Sequence, residues 1–115
     1  MHNFRNLRIY HLAVDYAVAL YKYTKTLPQD ERYGLISQLN RNAVSVPSNI
    51  SEGSGRTTNE DFANFLSNAI GSAYEIETQL EICKRLQYTD PGELIQSIQS
   101  LQRQLVSFRT TLKLP

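Results

Sequence analysis

The amino-acid sequence predicts an all-α protein, an antiparallel up-down-up-down four-helix bundle. Three observations carry that prediction. No useful length of chain alternates apolar and polar residues with period two. Apolar residues recur instead at steps of three and four in four segments, most clearly at Leu94, Ile98, Leu101, Leu105, Phe108 and Leu112. Short turns join the segments, and short connections make successive helices antiparallel neighbours.

The first helix is expected from about Asn6 to Thr26. It carries two apolar stripes: Leu7, Tyr10, Val14, Ala17 and Tyr21, then Ile9, Ala13, Tyr16, Leu20 and Tyr23. At 100° per residue their centres lie roughly 120° apart. Arg8, His11, Asp15, Lys22 and Thr26 fill the remaining polar wedge. A monomeric bundle would bury one stripe and expose the other, and contiguous apolar surface marks a protein contact. The expectation is a homo-oligomer with the first helix at the subunit interface, and Ile9, Tyr16, Leu20 and Tyr23 as candidate interface residues. The alternative is that the tyrosines lie along a monomer surface with their hydroxyls in water.

Leu27-Pro28-Gln29-Asp30 reads as a break, with Asp30 as N-cap of a second helix from about Glu31 to Glu52. Its apolar positions are Leu35, Leu39, Ala43, Val46 and Ile50. They run straight past Pro47, so the proline should bend the helix without ending it, although an interior proline costs ~3 kcal/mol. Gln38, Arg41, Ser45, Asn49 and Glu52 form a polar stripe. Gly53-Ser54-Gly55 stops the helix. Thr57 or Thr58 caps a third, with Glu60 and Asp61 near its positive end.

The third helix runs to about Leu86. Its apolar face holds Phe62, Phe65, Leu66, Ala69, Ala73, Ile76, Leu80 and Cys83, and its polar series is Asn68, Ser72, Glu75 and Gln79. Folding the two helices as a hairpin about Gly55 brings Ser45 towards Asn68, and Arg41 towards Ser72 and Glu75. The sequence therefore predicts a structural polar network of Gln38, Arg41, Ser45, Asn49, Glu52, Ser72 and Glu75, with Arg41–Glu75 as a buried or half-buried ion pair. A ligand site is the alternative. Asp90 and Pro91 open the fourth helix, as N-cap and first helical residue, and it ends near Leu112.

With 115 residues, 41% hydrophobic and 20% charged, the chain reads as one soluble domain over residues 1–115. A formal charge of +1 predicts no general attraction to nucleic acid. Cys83 is the only cysteine, which fits a reducing cytosol, and the location expected is cytoplasmic. The first residues do not read as a signal peptide, and no apolar run approaches the ~18 residues of a membrane span. His2, His11 and Cys83 have no zinc spacing, and no Glu-x-x-His pair for a di-iron bundle exists. Gly53-Ser54-Gly55-Arg56 lacks the Lys-Ser/Thr of a phosphate loop. Neither catalysis, metal nor cofactor is expected. Arg5, Arg8, Arg32 and Arg56 are candidate phosphate contacts, a sparse set that ring symmetry would multiply.

Several motifs carry a family resemblance. They are Phe4-Arg5-Asn6-Leu7-Arg8-Ile9-Tyr10, Leu27-Pro28, Glu31-Arg32-Tyr33-Gly34-Leu35 and Arg41-Asn42-Ala43-Val44-Ser45-Val46-Pro47-Ser48-Asn49-Ile50. Glu52-Gly53, Phe65-Leu66, Gly71-Ser72 and Glu75-Ile76-Glu77-Thr78-Gln79-Leu80 extend it. With these the chain resembles the four-helix bundle proteins of the 23S ribosomal RNA intervening-sequence family, which in turn resemble the accessory variability determinant of diversity-generating retroelements. The resemblance implies a bacterial, cytosolic, noncatalytic bundle that assembles as a ring-like homopentamer. The retroelement proteins bind nucleic acid through a basic surface and associate with a reverse transcriptase. They are strongly basic, and this chain is not. Two functions follow as expectations: an accessory factor that binds RNA or DNA, or a scaffold that binds another protein and no nucleic acid.

Overall fold

A computed structural model describes residues 1–112 and 114. Four α-helices follow one another: α1 (Arg8–Thr24), α2 (Leu35–Ser54), α3 (Asn59–Arg85) and α4 (Gly92–Thr111). Each helix packs on the next, α4 returns to α1, and the diagonal pairs do not meet, which is the up-down-up-down bundle expected. Its extents are 47 × 20 × 20 Å.

The helix starts depart from the sequence reading for local reasons. Ahead of α1, Phe4–Asn6 form a separate 3-10 turn, because the Asn3 side chain accepts from the Arg5 N–H and Leu7 is extended. Asp30 does not cap α2. It lies in a second 3-10 turn, Gln29–Glu31, and α2 begins at Leu35. There the Glu31 carboxylate accepts from the Leu35 N–H at 3.4 Å and from the Tyr88 hydroxyl at 2.8 Å, tying the start of α2 to the α3–α4 turn. Thr58 caps α3, accepting from the Asp61 N–H at 3.1 Å. Pro91, not Asp90, occupies the N-cap of α4, and the Asp90 carboxylate accepts from the Gly92 N–H. Helix α2 continues through Pro47, which is buried.

The core is one cluster along the bundle axis, and it settles the two stripes of α1 in the opposite sense to the one expected. Ile9, Tyr16, Leu20 and Tyr23, the candidate interface residues, are buried inside the subunit, Leu20 completely. Their polar atoms explain the choice. The Tyr16 hydroxyl donates to the Leu94 carbonyl at 2.9 Å, and the Tyr23 hydroxyl donates to the Thr89 carbonyl, so both rings reach the start of α4 without burying an unpaired group. The other stripe is half-buried, with Leu7, Tyr10 and Ala17 packed on the edge of the core, Tyr21 exposed and Val18 beside it 52% exposed.

Candidate functional site

Three surfaces were singled out by the sequence: the polar seam between α2 and α3, the arginines, and the spare apolar face of α1. The seam exists, with different members. Ser45 and Ser72 share a hydrogen bond of 2.8 Å across the two helices, and the Asn49 amide donates to the Ser45 carbonyl and hydroxyl. One turn and more away, the Gln79 amide donates to Gln38 and accepts from Asn42. Gln79 and Asn42 are buried, and no buried side-chain nitrogen or oxygen among the described residues lacks a partner. Satisfied amides hold helices in register without the desolvation cost of a charge.

Arg41, Glu52 and Glu75 are outside this network. All three are exposed, and the one ion pair among the described residues joins Arg85 to Glu81. The reason is angular. At 100° per residue Arg41 lies roughly 180° from the core residue Ile50, whereas Asn42 lies roughly 80° from it, on the edge facing α3. A stripe built of threes and fours includes residues on both sides of that edge. The hairpin register also moved by one turn: Ser45 meets Ser72, not Asn68, because the α2–α3 connection is longer than a hinge at Gly55.

A second polar cluster on α3 and α4 was missed. Half-buried Glu77 accepts from Gln99 at 3.0 Å and from Gln102 at 2.9 Å. These two donors hold its carboxyl below its ordinary value of 4.5, against the opposing effect of burial. The signal was available, since Gln99 and Gln102 interrupt the polar side of the fourth helix three apart, the spacing of neighbours on one face.

The arginines fall into two groups. Arg5, Arg8 and Arg56 lie at one end of the bundle, where the His2 N–H donates to the Ser54 carbonyl and joins the N-terminal segment to the α2–α3 turn. Arg32 lies at the opposite end, in the α1–α2 connection. At the first end the Arg5 guanidinium sits 4.5 Å from the centre of the Phe4 ring, and Arg56 sits 4.5 Å from that of Phe65. Phe4 in turn meets Tyr10 edge-on at 4.8 Å, and the Arg5 carbonyl is bridged to the His11 ring at 2.7 Å. The Arg109 guanidinium, held by Ser67, joins this end from α4.

The spare face of α1 forms one wall of an apolar groove of about 530 Å³. Val14, Ala17, Val18 and Tyr21 face Val44 and Pro47 of α2 across it, with Lys22 and Lys25 at one end. No cluster of three or more His, Cys, Asp or Glu side chains able to hold a metal occurs among the described residues. No described helix is long and apolar enough to cross a membrane.

Fold and surface thus define a small all-α bundle with an amide-lined internal seam, an end that gathers Arg5, Arg8, Arg56 and Arg109, and an apolar groove between α1 and α2. The chain belongs to the 23S rRNA-intervening sequence protein family, whose model matches residues 5–107. It is similar in fold to a crystallised protein of unknown function from the S23 ribosomal protein family of Bacteroides thetaiotaomicron, with 23% identity and a TM-score of 0.81 over 88% of this chain and 97% of that one. Comparison with curated proteins gives no match.

Proposed function

We propose that this chain is a noncatalytic, homo-oligomeric accessory protein that engages RNA or DNA through the end of its bundle that bears Arg5, Arg8 and Arg56. The observation that carries the proposal is the grouping of Arg5, Arg8 and Arg56 at one end, two of them laid over aromatic rings. A guanidinium stacked on a ring keeps its N–H edge free for phosphate and adds a flat surface for a base. A single subunit offers few such contacts. A ring, pentameric as the resemblance to the retroelement accessory proteins suggests, repeats them by symmetry and turns a sparse patch into a continuous one.

A salt series tests this. Full-length protein should retain labelled single-stranded RNA or DNA at ~50 mM salt, and retention should fall steeply as salt rises. Combined Arg5→Ala, Arg8→Ala and Arg56→Ala should weaken binding and flatten the salt slope, whereas Arg32→Ala, at the other end, should change little. Absence of retention at ~50 mM salt overturns the proposal, because phosphate contacts are strongest there.

The apolar groove on α1 and α2 favours a second reading, a scaffold that carries a protein and no nucleic acid. Co-purification of one defined protein, unchanged by nuclease and lost on Val44→Glu in the groove wall, would support that reading over the first.

A further inference from the structure

Gly71 lies in the middle of the 27-residue helix α3, where a glycine costs about 0.5–1 kcal/mol relative to alanine. Nothing inside the subunit explains it. A Cβ built at Gly71 meets no atom within 4 Å, in contrast to Gly53, whose Cβ would collide with Phe65 at 2.6 Å. At 100° per residue Gly71 points away from the core, on the same outer face as Tyr74, Thr78 and Ile82. Tyr74 and Ile82 are large, and are 51% and 43% exposed. Glu75 and Glu81 flank them. A glycine beside an exposed aromatic on an outer helix face is what a closely approaching second helix requires.

The charges identify that helix. Around the α1–α2 groove the free charges are Lys22 and Lys25, both exposed. The α3 face carries Glu75, which is exposed, and Glu81, whose surface pair with Arg85 of the same helix is of the weak, solvent-screened kind. With α3 of one copy laid parallel to α1 of the next and Tyr74 entering the groove beside Val18, Glu81 comes level with Lys25, and Gly71 comes level with Asp15, one residue past Val14 of the groove wall. Both intervals, Val18 to Lys25 and Tyr74 to Glu81, are seven residues, or about 10 Å along a helix. The antiparallel arrangement would carry Glu81 towards the start of α1, away from both lysines. We propose that the α1–α2 groove receives the outer face of α3 from a second copy of this chain, Tyr74 being the inserted side chain. Groove and face are different surfaces, so the contact is heterologous, and it propagates from copy to copy until a ring closes. This deepens the homo-oligomeric reading above and rests on it.

Complementation tests the contact. Val18→Glu spoils the groove and Tyr74→Glu spoils the face. Both positions are exposed in the subunit, and unchanged helical circular dichroism would verify the fold. Each variant alone should run in light scattering at the mass of one chain, 13.2 kDa, while the wild type runs as an oligomer. Mixed together, they should form a one-to-one dimer and nothing larger, because one intact groove and one intact face remain. Lys25→Glu and Glu81→Lys should each weaken assembly about tenfold, and the double swap should restore it. A wild type that is monomeric at tens of micromolar overturns both this contact and the homo-oligomeric reading. An oligomeric wild type with equally oligomeric variants overturns this contact alone. So does a pair of monomeric variants that fail to combine, because that outcome marks a self-paired interface.

Discussion

At the scale of single residues, the turn between α3 and α4 holds the clearest local strain. Gln87 is the one described non-glycine residue with a positive φ, 62°. Its N–H donates to the Lys84 carbonyl and the Tyr88 N–H donates to the Cys83 carbonyl, the Schellman pattern that ends a helix and ordinarily takes glycine. The turn is kept because it delivers Tyr88 to the Glu31 carboxylate. Gln87→Gly should therefore stabilise the fold by roughly 1 kcal/mol in urea unfolding, by removing the Cβ clash of the left-handed conformation. The strain could not be read from the sequence, which signalled the stop through Thr89-Asp90-Pro91 but gave no sign that a glutamine fills the left-handed position.

At the scale of helices, α2 and α3 are matched by shape at one end and by amides along their length. Gly53 lets Phe62 and Phe65 close over α2, and this close approach fixes the register that the Ser45–Ser72 and Gln79 bonds then hold. Gln79 is the centre of that seam. Gln79→Ala leaves buried Asn42 without its partner and should cost about 1–3 kcal/mol, whereas Arg41→Ala, in an exposed position, should stay within about 0.5 kcal/mol. Denaturant midpoints of the two variants would separate an amide seam from the buried ion pair that the sequence suggested. Composition did indicate a half-buried polar seam. What it missed was which polar residues turn inwards, because a difference of 100° between Arg41 and Asn42 leaves the pattern of threes and fours almost unchanged.

At the scale of the molecule, stability should depend on pH through Glu77, whose carboxyl is held below its usual 4.5 by Gln99 and Gln102. A lowered folded value means that the native state binds this proton less readily than the unfolded chain does. The contribution is thus complete above about 4.5 and is lost as pH falls through the lower folded value. Glu77→Gln should flatten the acid side of a plot of melting temperature against pH and leave its neutral shape intact. A variant with an acid limb as steep as the wild type would contradict this account.

The sequence by itself determined the helices, their antiparallel order and the apolar faces of α2, α3 and α4, because a 3.6-residue period is a local property that burial then enforces. It also determined that α1 has more apolar surface than one bundle can cover. Which of the two α1 stripes enters the core was decided only by the tertiary structure. Both stripes are apolar, and the choice depended on whether Tyr16 and Tyr23 could find carbonyl partners at the start of α4, a contact between residues up to 78 positions apart. The stripe left outside, with the unexplained Gly71 on the opposite side of the bundle, is consequently where assembly is to be sought.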